Sequence, residues 1–359
     1  MGLLKILILT PFPGTTNPYL SLFTQSLREA GGNVSLACKR GLLPLWSAIR
    51  ESGRADLIHL QWHDVYFGKG STPVVVVRTV MFFFQAFVLR LLGTRFVWTV
   101  HNVLSHERQH PRWELMACRA YGRFVDRIIV HCEVAARLVG DAYRVPRHRI
   151  SVVPHGHYAG WYPPPENKAK ARKRLQLPHD TRVFLFFGLV REYKGLENLL
   201  DAFQRIDAKG CQLLIIGKPH SPSLARSLLE RAAQDSRVLT RFEYVPDDVL
   251  VTYLGAADLV VLPYRDALTS GAAILAASYG RPVLVPRHGC MQEFPPDAAI
   301  LYDPERPQGL AEAITRALSA PLESMGHAAK RHVAQHPWSD VASQTLAVYQ
   351  EVARSANAA

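Results

Sequence analysis

Short apolar runs of strand length alternate with longer segments of helical character along the whole chain, and the scheme occurs twice. In the first half the strand candidates are Lys5–Thr10, Val34–Cys38, Leu57–Trp62, Phe96–Asn102, Arg127–Cys132 and Ser151–His155. In the second they are Val183–Gly188, Gln212–Gly217, Val238–Val245, Leu259–Tyr264, Pro282–Pro286 and Ala299–Tyr302. Strands that read apolar throughout are buried on both faces, which requires a parallel sheet covered by helices. The pattern therefore predicts an α/β chain of two Rossmann-like domains built from βαβ units. A chain of 359 residues agrees, since it suits two domains of about 150–180 residues better than one core.

The boundary is expected near Pro165, where Trp161–Lys170 is rich in proline and polar residues and reads as a linker. This gives an N-terminal domain over 1–164, a C-terminal domain over 165–336, and a final helix over 337–359 that returns toward the first domain. Two such domains are expected to face each other across a cleft, with ligands at the C-terminal ends of the strands.

Charge is distributed unevenly. Residues 1–160 carry 19 Lys+Arg against 9 Asp+Glu, and the remainder 23 against 21, so nearly all of the net +12 belongs to the first half. A one-sided basic surface predicts a polyanionic partner, and an anionic membrane surface fits better than nucleic acid, because no RNA- or DNA-binding motif accompanies the charge. The same half contains Pro73–Gly93, apolar for about 20 residues but interrupted by Arg78, Gln85 and Arg90. Central arginines disfavour a spanning helix. Two readings stay open: a helix packed on the sheet, or one partly exposed to lipid with its arginines reaching headgroups.

The strongest chemical signal is Phe187–Gly195, a strand end followed by Gly188, Arg191, Lys194 and Gly195 before an amphipathic helix. Two cations on a glycine-permitted turn suit a nucleoside diphosphate: Arg191 can fork onto phosphate oxygens, and Lys194 can offset leaving-group charge. A second phosphate element is expected after Tyr264, where Ser270, Gly271 and Ala272 open a helix with free N–H groups. His157, after the last strand of the first half, is placed at the donor's diphosphate or sugar, and Tyr244 and Val245, at the end of the Val238–Val245 strand, also on the donor side. In the loop after the first strand, Asn17 and Tyr19 are placed at the acceptor. No DxD stands at a strand end and the cysteines form no zinc spacing, so no metal is expected.

Together Arg191–Gly195, the Asp258–Tyr264 strand, Gly280-Arg-Pro-Val-Leu and the Trp338-Ser helix resemble two-domain GT-B glycosyltransferases. Asn17-Pro-Tyr-Leu, His101–Glu107, His155-Gly-His-Tyr and Ser270-Gly271 are most similar to bacterial exopolysaccharide mannosyltransferases of the xanthan-assembly type. The resemblance implies transfer of mannose from GDP-mannose to a polyprenyl-diphosphate-linked oligosaccharide at the inner face of the cytoplasmic membrane. No cofactor is implied beyond the nucleotide sugar, which is the substrate. A UDP-sugar donor and a catalytically silent binding subunit are the alternative readings.

Retaining relatives of this fold usually place two glutamates where this chain has Ala267 and Leu275. Their absence implies an inverting enzyme, which needs a general base for the acceptor hydroxyl. Glu107 is the expected base, with His101 orienting donor or acceptor, and Asp64 is the second choice. His106–His110 also spells HExxH, but Pro111 argues against the continuing helix that a zinc protease requires.

Overall fold

The computed structural model describes residues 4–11, 17–38, 41–207 and 210–357. These divide into two compact units, Met1–Gly156 with His336–Ala359, and His157–Gln335.

Unit 1 contains β1 (Lys5–Thr10), α1 (Pro18–Glu29), β2 (Asn33–Cys38), α2 (Pro44–Ser52), β3 (Leu57–Gln61) and α3 (Asp64–Phe67). It continues through α4 (Thr72–Leu91), β4 (Arg95–Thr99), α5 (Pro111–Phe124), β5 (Arg127–Val130), α6 (Glu133–Tyr143) and β6 (Ile150–Val152). The strands form one parallel sheet in the order β2-β1-β3-β4-β5-β6. Unit 2 contains α7 (Lys168–Arg174), β7 (Arg182–Phe187), α8 (Leu196–Gln204), β8 (Cys211–Ile216), α9 (Pro222–Ala232), β9 (Val238–Arg241) and α10 (Asp247–Ala256). Then come β10 (Leu259–Val261), α11 (Gly271–Ser278), β11 (Val283–Pro286), β12 (Ala299–Tyr302), α12 (Gly309–Ser319) and α13 (Leu322–Ala334). Its sheet is also parallel, ordered β12-β11-β10-β7-β8-β9. The last helix, α14 (Trp338–Asn357), belongs to unit 1.

The apolar runs form strands because both sheet faces are covered. Ile8, Leu9, Leu57, Leu60, Val97 and Trp98 are fully buried in unit 1, and Val183–Phe186 and Val260 in unit 2. Helix α14 closes one face of unit 1: Val341, Val348 and Val352 pack with Leu20, Phe23 and Leu27 of α1. Gly156 makes room for this helix, because a Cβ there would lie 2.4 Å from Trp338 Cε2.

The division lies at Gly156–His157 rather than near Pro165. The proline-rich stretch is fastened to unit 2 instead of hanging free. Tyr158 N–H donates to Ser278 Oγ at 3.0 Å, and the Tyr279 hydroxyl donates to the carbonyls of Tyr162 and Pro163.

Helix α4 is the one described helix long and apolar enough to cross a membrane. It lies on unit 1 through Val75, Thr79, Phe82, Ala86 and Leu89, all buried. Arg78 donates to the carbonyls of Val65 and Lys69. Arg90 pairs with Asp126 at 2.5 Å and lies over the Phe124 ring. Both arginines are therefore engaged within the unit, which for these two side chains fits the reading of a helix packed on the sheet rather than the reading in which they reach headgroups. Val74, Val77, Val80, Phe84, Phe87 and Leu91 form an exposed stripe on the opposite side, at the spacing of one helix face.

Candidate active site

In unit 2 the chain order reverses between β7 and β10. Strands β7, β8 and β9 are laid down in one direction from this point and β10, β11 and β12 in the other. Ligands of open parallel sheets bind outside the C-terminal strand ends at such a reversal. The Gly188–Gly195 turn follows β7, and the Tyr264–Gly271 segment follows β10.

Glycine is required at both edges of the first turn. Gly195 has φ +69°, and a Cβ there would fall 2.1 Å from the Pro263 carbonyl oxygen. Gly188 has φ +108°, and its carbonyl is approached so closely by Gly217 that a Cβ on Gly217 would sit 1.9 Å from it. Between these glycines, Glu192–Lys194 form a single 3₁₀ turn that turns Lys194 inward.

Lys194 is 8 % exposed, and the one hydrogen-bond partner of its ammonium among the described residues is the Tyr264 hydroxyl at 3.2 Å. The Tyr264 ring lies 4.8 Å below it. Burial pulls the ammonium below its ordinary proton affinity; the Tyr193 hydroxyl opposes this and Arg191 adds to it. No described carboxylate pairs with this cation, so an anion would relieve its desolvation. Ser270 Oγ caps α11 by accepting from Ala273 N–H at 3.1 Å, and its hydroxyl partly offsets the rise that burial causes in the proton affinity of the Tyr264 phenol. Tyr264 thus touches Lys194 directly and feels Ser270, between the two expected phosphate elements. The sequence signal for this contact is an aromatic hydroxyl closing the strand beside the one that leads to Lys194.

The remaining donor-side residues fall in unit 2 as follows. Arg191 precedes the 3₁₀ turn and is partly exposed. Gly271 and Ala272 form the first turn of α11, with the Tyr158 hydroxyl 3.3 Å from where a Gly271 Cβ would be. Tyr244 and Val245 lie in the loop after β9, which ends at Arg241 rather than Val245, and Tyr244 is 69 % exposed. His157 opens unit 2, its Nδ1 accepting from Ala159 N–H. Ala267 and Leu275 are both buried and apolar.

Unit 1 reverses its chain order between β1 and β3. His59 and Gln61 project from the same face of β3 into a buried polar chain. The Tyr349 hydroxyl of α14 lies 2.5 Å from His59 Nδ1, Gln61 Nε2 lies 3.2 Å from His59 Nε2, and Gln61 Oε1 lies 2.7 Å from His101 Nε2. His131 continues the chain toward the Val153 carbonyl. Burial, reinforced by neighbouring histidines, holds His59 at about 3 and keeps His101 well below 6.5. Burial likewise lowers His131 to about 4 and His155 to about 3. His101 is therefore a neutral imidazole at physiological pH, stacked on Trp62 at 4.1 Å.

The two residues expected at the acceptor serve the fold. Asn17 Oδ1 caps α1 by accepting from Tyr19 N–H at 3.0 Å. Tyr19 is 4 % exposed and packs among Phe23, His101, His155 and Trp338. Proline at the first helical position and an apolar N-terminal turn account for both.

Two carboxylates meet at one cation. Lys69 Nζ lies 3.2 Å from Asp64 Oδ2 and 3.7 Å from Glu107 Oε1, and all three side chains are partly exposed. Asp64 Oδ1 is buried without a partner. Each carboxylate stands near a non-glycine residue in left-handed backbone, Trp62 at φ +42° and Arg108 at φ +43°. Such strain persists where surrounding structure enforces it and concentrates at functional sites. The Glu107 loop is held from beneath by Glu114, which is fully buried. Its carboxylate accepts from Ser105 N–H at 2.6 Å and Ser105 Oγ at 2.7 Å, and pairs with His63 Nε2 at 3.0 Å. Glu114 therefore fastens both carboxylate-bearing segments, a role that no spacing in the sequence signals.

The HExxH residues do not share a helix. His106 and Glu107 lie in the loop, and His110 precedes α5 and donates from Nε2 to the Gly70 carbonyl. Among the described residues, no three His, Cys, Asp or Glu side chains gather as a metal site.

Residues 181–320 match the family described as Glycosyl transferases group 1, and residues 32–157 match Glycosyltransferase Family 4. The chain is 31 % identical over 297 residues to a GDP-mannose:glycolipid 4-β-D-mannosyltransferase of Xanthomonas campestris pv. campestris, covering 81 % of this chain and 76 % of the relative. It is 28 % identical over 329 residues to a D-inositol 3-phosphate glycosyltransferase of Thermobispora bispora, covering 85 % and 72 %. Sucrose-phosphate synthase of Thermosynechococcus elongatus superposes with TM-score 0.76 at 19 % identity over 97 % of this chain and 99 % of that one. Anabaena HepE, in complex with UDP-glucose, gives 0.71 at 18 % over 99 % and 100 %. Two parallel six-stranded sheets, matches to glycosyltransferase families in both halves and a 31 % identical relative together place the chain in the GT-B glycosyltransferases.

Proposed function

We propose that this enzyme is an inverting mannosyltransferase that moves mannose from GDP-mannose onto a polyprenyl-diphosphate-linked oligosaccharide during exopolysaccharide assembly. The observation that carries the reading is Lys194, a buried ammonium with no carboxylate partner, at the strand reversal of unit 2. It suits the diphosphate of a nucleotide sugar, with Arg191 and the first turn of α11 completing the cradle. The 31 % identical relative, named for GDP-mannose and a glycolipid, supports the choice of donor and acceptor class.

In the proposed reaction the acceptor hydroxyl attacks the anomeric carbon as the bond to the diphosphate oxygen breaks. GDP departs with the electron pair, and its charge is met by Lys194 and Arg191 without a metal ion. Glu107 takes the hydroxyl proton. Asp64 is the second choice of base, favoured by its buried Oδ1 that has no hydrogen-bond partner. The buried apolar side chains at Ala267 and Leu275, where retaining relatives use glutamates, support inversion.

The enzyme works at the inner face of the cytoplasmic membrane. The basic surplus of residues 1–160 and the exposed stripe of α4 support attachment to an anionic bilayer. Thermal-shift measurements with GDP, UDP and their sugar conjugates test the donor, since a ligand bound only by the folded state raises the melting temperature. The largest shift is expected with GDP and GDP-mannose; a larger shift with UDP-sugars would replace the donor.

A further inference from the structure

One end of α4 opens onto a cavity of about 290 Å³ lined by Gly41, Val65, Tyr66, Lys69, Gly70 and Arg78. Two of these are cations, and no acidic residue lines it. Arg78 is oriented by the Val65 and Lys69 carbonyls, while its Nε is buried and has no hydrogen-bond partner. Gly70 is fixed by the base loop: its N–H donates to Gln109 Oε1 at 3.0 Å, and its carbonyl accepts from His110. The cavity is thus tied to the segment carrying Glu107, and Lys69 touches both Asp64 and Glu107. At its other edge Gly70 abuts Val74, whose Cγ1 lies 3.6 Å from where a Cβ on Gly70 would be. From Val74 the uncharged exposed stripe runs through Val77 and Val80 to Phe84, roughly 15 Å of helix.

We propose that this cavity binds the diphosphate of an isoprenoid diphosphate, with the isoprene units lying along Val74, Val77, Val80 and Phe84. Charge and polarity argue for that occupant. A phosphate gains charge-assisted hydrogen bonds from Lys69 and Arg78, and an apolar tail has a continuous apolar track that begins at the cavity rim. A free inorganic anion would leave the track unused, and a bilayer alone would leave the cavity unused. The inference rests on the lipid-linked acceptor proposed above and locates its anionic link beside the candidate bases.

Calorimetric titration with farnesyl diphosphate and inorganic pyrophosphate tests it on the full-length protein. Farnesyl diphosphate is expected to bind at least about ten-fold more tightly than pyrophosphate. Lys69→Gln should weaken both by about ten-fold or more, and the Val77→Ser/Phe84→Ser double variant should weaken farnesyl diphosphate alone. Short-chain phosphatidylglycerol should fail to displace it. The inference is overturned by equal affinity for the two diphosphates, by unchanged binding in Lys69→Gln, or by displacement by the phospholipid at equal concentration. A melting temperature retained in each variant separates lost binding from lost folding. The donor reading is tested separately: absent isoprenoid binding with GDP-mannose turnover intact sinks only this site, and intact binding without mannose transfer sinks only the donor.

Discussion

Lys194 and Tyr264 follow different strands on either side of the chain reversal in unit 2, yet the ammonium donates to the phenol oxygen at 3.2 Å. Ser270, which caps α11, acts electrostatically on the same phenol, so Tyr264 stands between the buried cation and the capped start of α11. A diphosphate that touches both elements meets donors already in place, which is how preorganised electrostatics lowers a barrier.

Removing the cation should therefore help stability and harm activity. The folded protein holds Lys194 below its ordinary value of 10.5, chiefly through burial. Between the folded and unfolded values the unfolded chain binds more protons, so this residue destabilises the fold as pH falls through that window. Lys194→Met is expected to melt higher than wild type at pH 7 without ligand, to lose the stabilisation by GDP, and to turn over donor about 10²-fold more slowly. Tyr264→Phe should keep most of the GDP shift and lose about ten-fold in turnover. Calorimetry with a donor-consumption assay reads both, and an undiminished GDP shift in Lys194→Met would remove the phosphate assignment.

The His63–Glu114 pair predicts a pH signature. Burial pushes His63 down, but Cys118 and Glu114 outweigh it and hold the imidazole well above 6.5. Burial pushes Glu114 up, but His63 and Ser105 outweigh it and hold the carboxyl below 4.5. The histidine contribution is complete below 6.5 and is lost as pH rises through its folded value. The glutamate contribution is complete above 4.5 and is lost as pH falls through its folded value. Melting curves of wild type and Glu114→Gln should therefore differ most between about pH 4.5 and 6.5. A difference that does not vary with pH would mean the pair is not ionised.

The framework of both sheets was legible because buried parallel strands are apolar throughout. Every strand expected has a counterpart among the described residues, and most of the misplacement is at C-terminal ends. Expected ends at Asn102, Val245 and Tyr264 stop in the structure at Thr99, Arg241 and Val261. After β4 and β10 the chain leaves the sheet while its side chains remain packed, as with Val100, Leu262 and Tyr264, so hydropathy overruns the hydrogen bonding; after β9 the overrun covers a loop with Tyr244 exposed. Lys194 stands out in the sequence because a cation between two glycines after a strand has few structural uses, and the structure buries it against Tyr264. The Lys69–Glu107 and His63–Glu114 pairings were not legible, since they join segments separated by 38 and 51 positions. Tyr19 misled because a tyrosine near a strand's C-terminal end suits a ligand contact and an aromatic core equally.

The exposed stripe of α4 makes the proposed membrane attachment testable. Phe84 and Phe87 are 50 % and 55 % exposed, whereas Phe83 is partly buried and stacks on Phe67. Phe84→Ser with Phe87→Ser should weaken sedimentation with phosphatidylglycerol vesicles by about ten-fold or more without moving the melting temperature. Phe83→Ser should instead destabilise the fold by about 3 kcal/mol. Unchanged vesicle binding in the exposed pair would assign attachment to charge alone, and high salt would then abolish it.

Stereochemistry and the base are tested together. Buried Ala267 and Leu275 leave unit 2 without the carboxylates that retaining relatives place there, and unit 1 carries Glu107 and Asp64 on one lysine. A single displacement by the acceptor hydroxyl inverts the anomeric carbon, so an α-linked sugar nucleotide should yield a β-linked product. The one-bond C–H coupling of the product reads the anomer directly. Glu107→Gln keeps the side chain's shape but cannot take the proton, so it should bind GDP-mannose normally and lose about 10²-fold or more in kcat. An α-product would reject inversion outright. A β-product with full activity in Glu107→Gln would reject only the base. Asp64→Asn should then carry the loss, because Asp64 is the second carboxylate on Lys69.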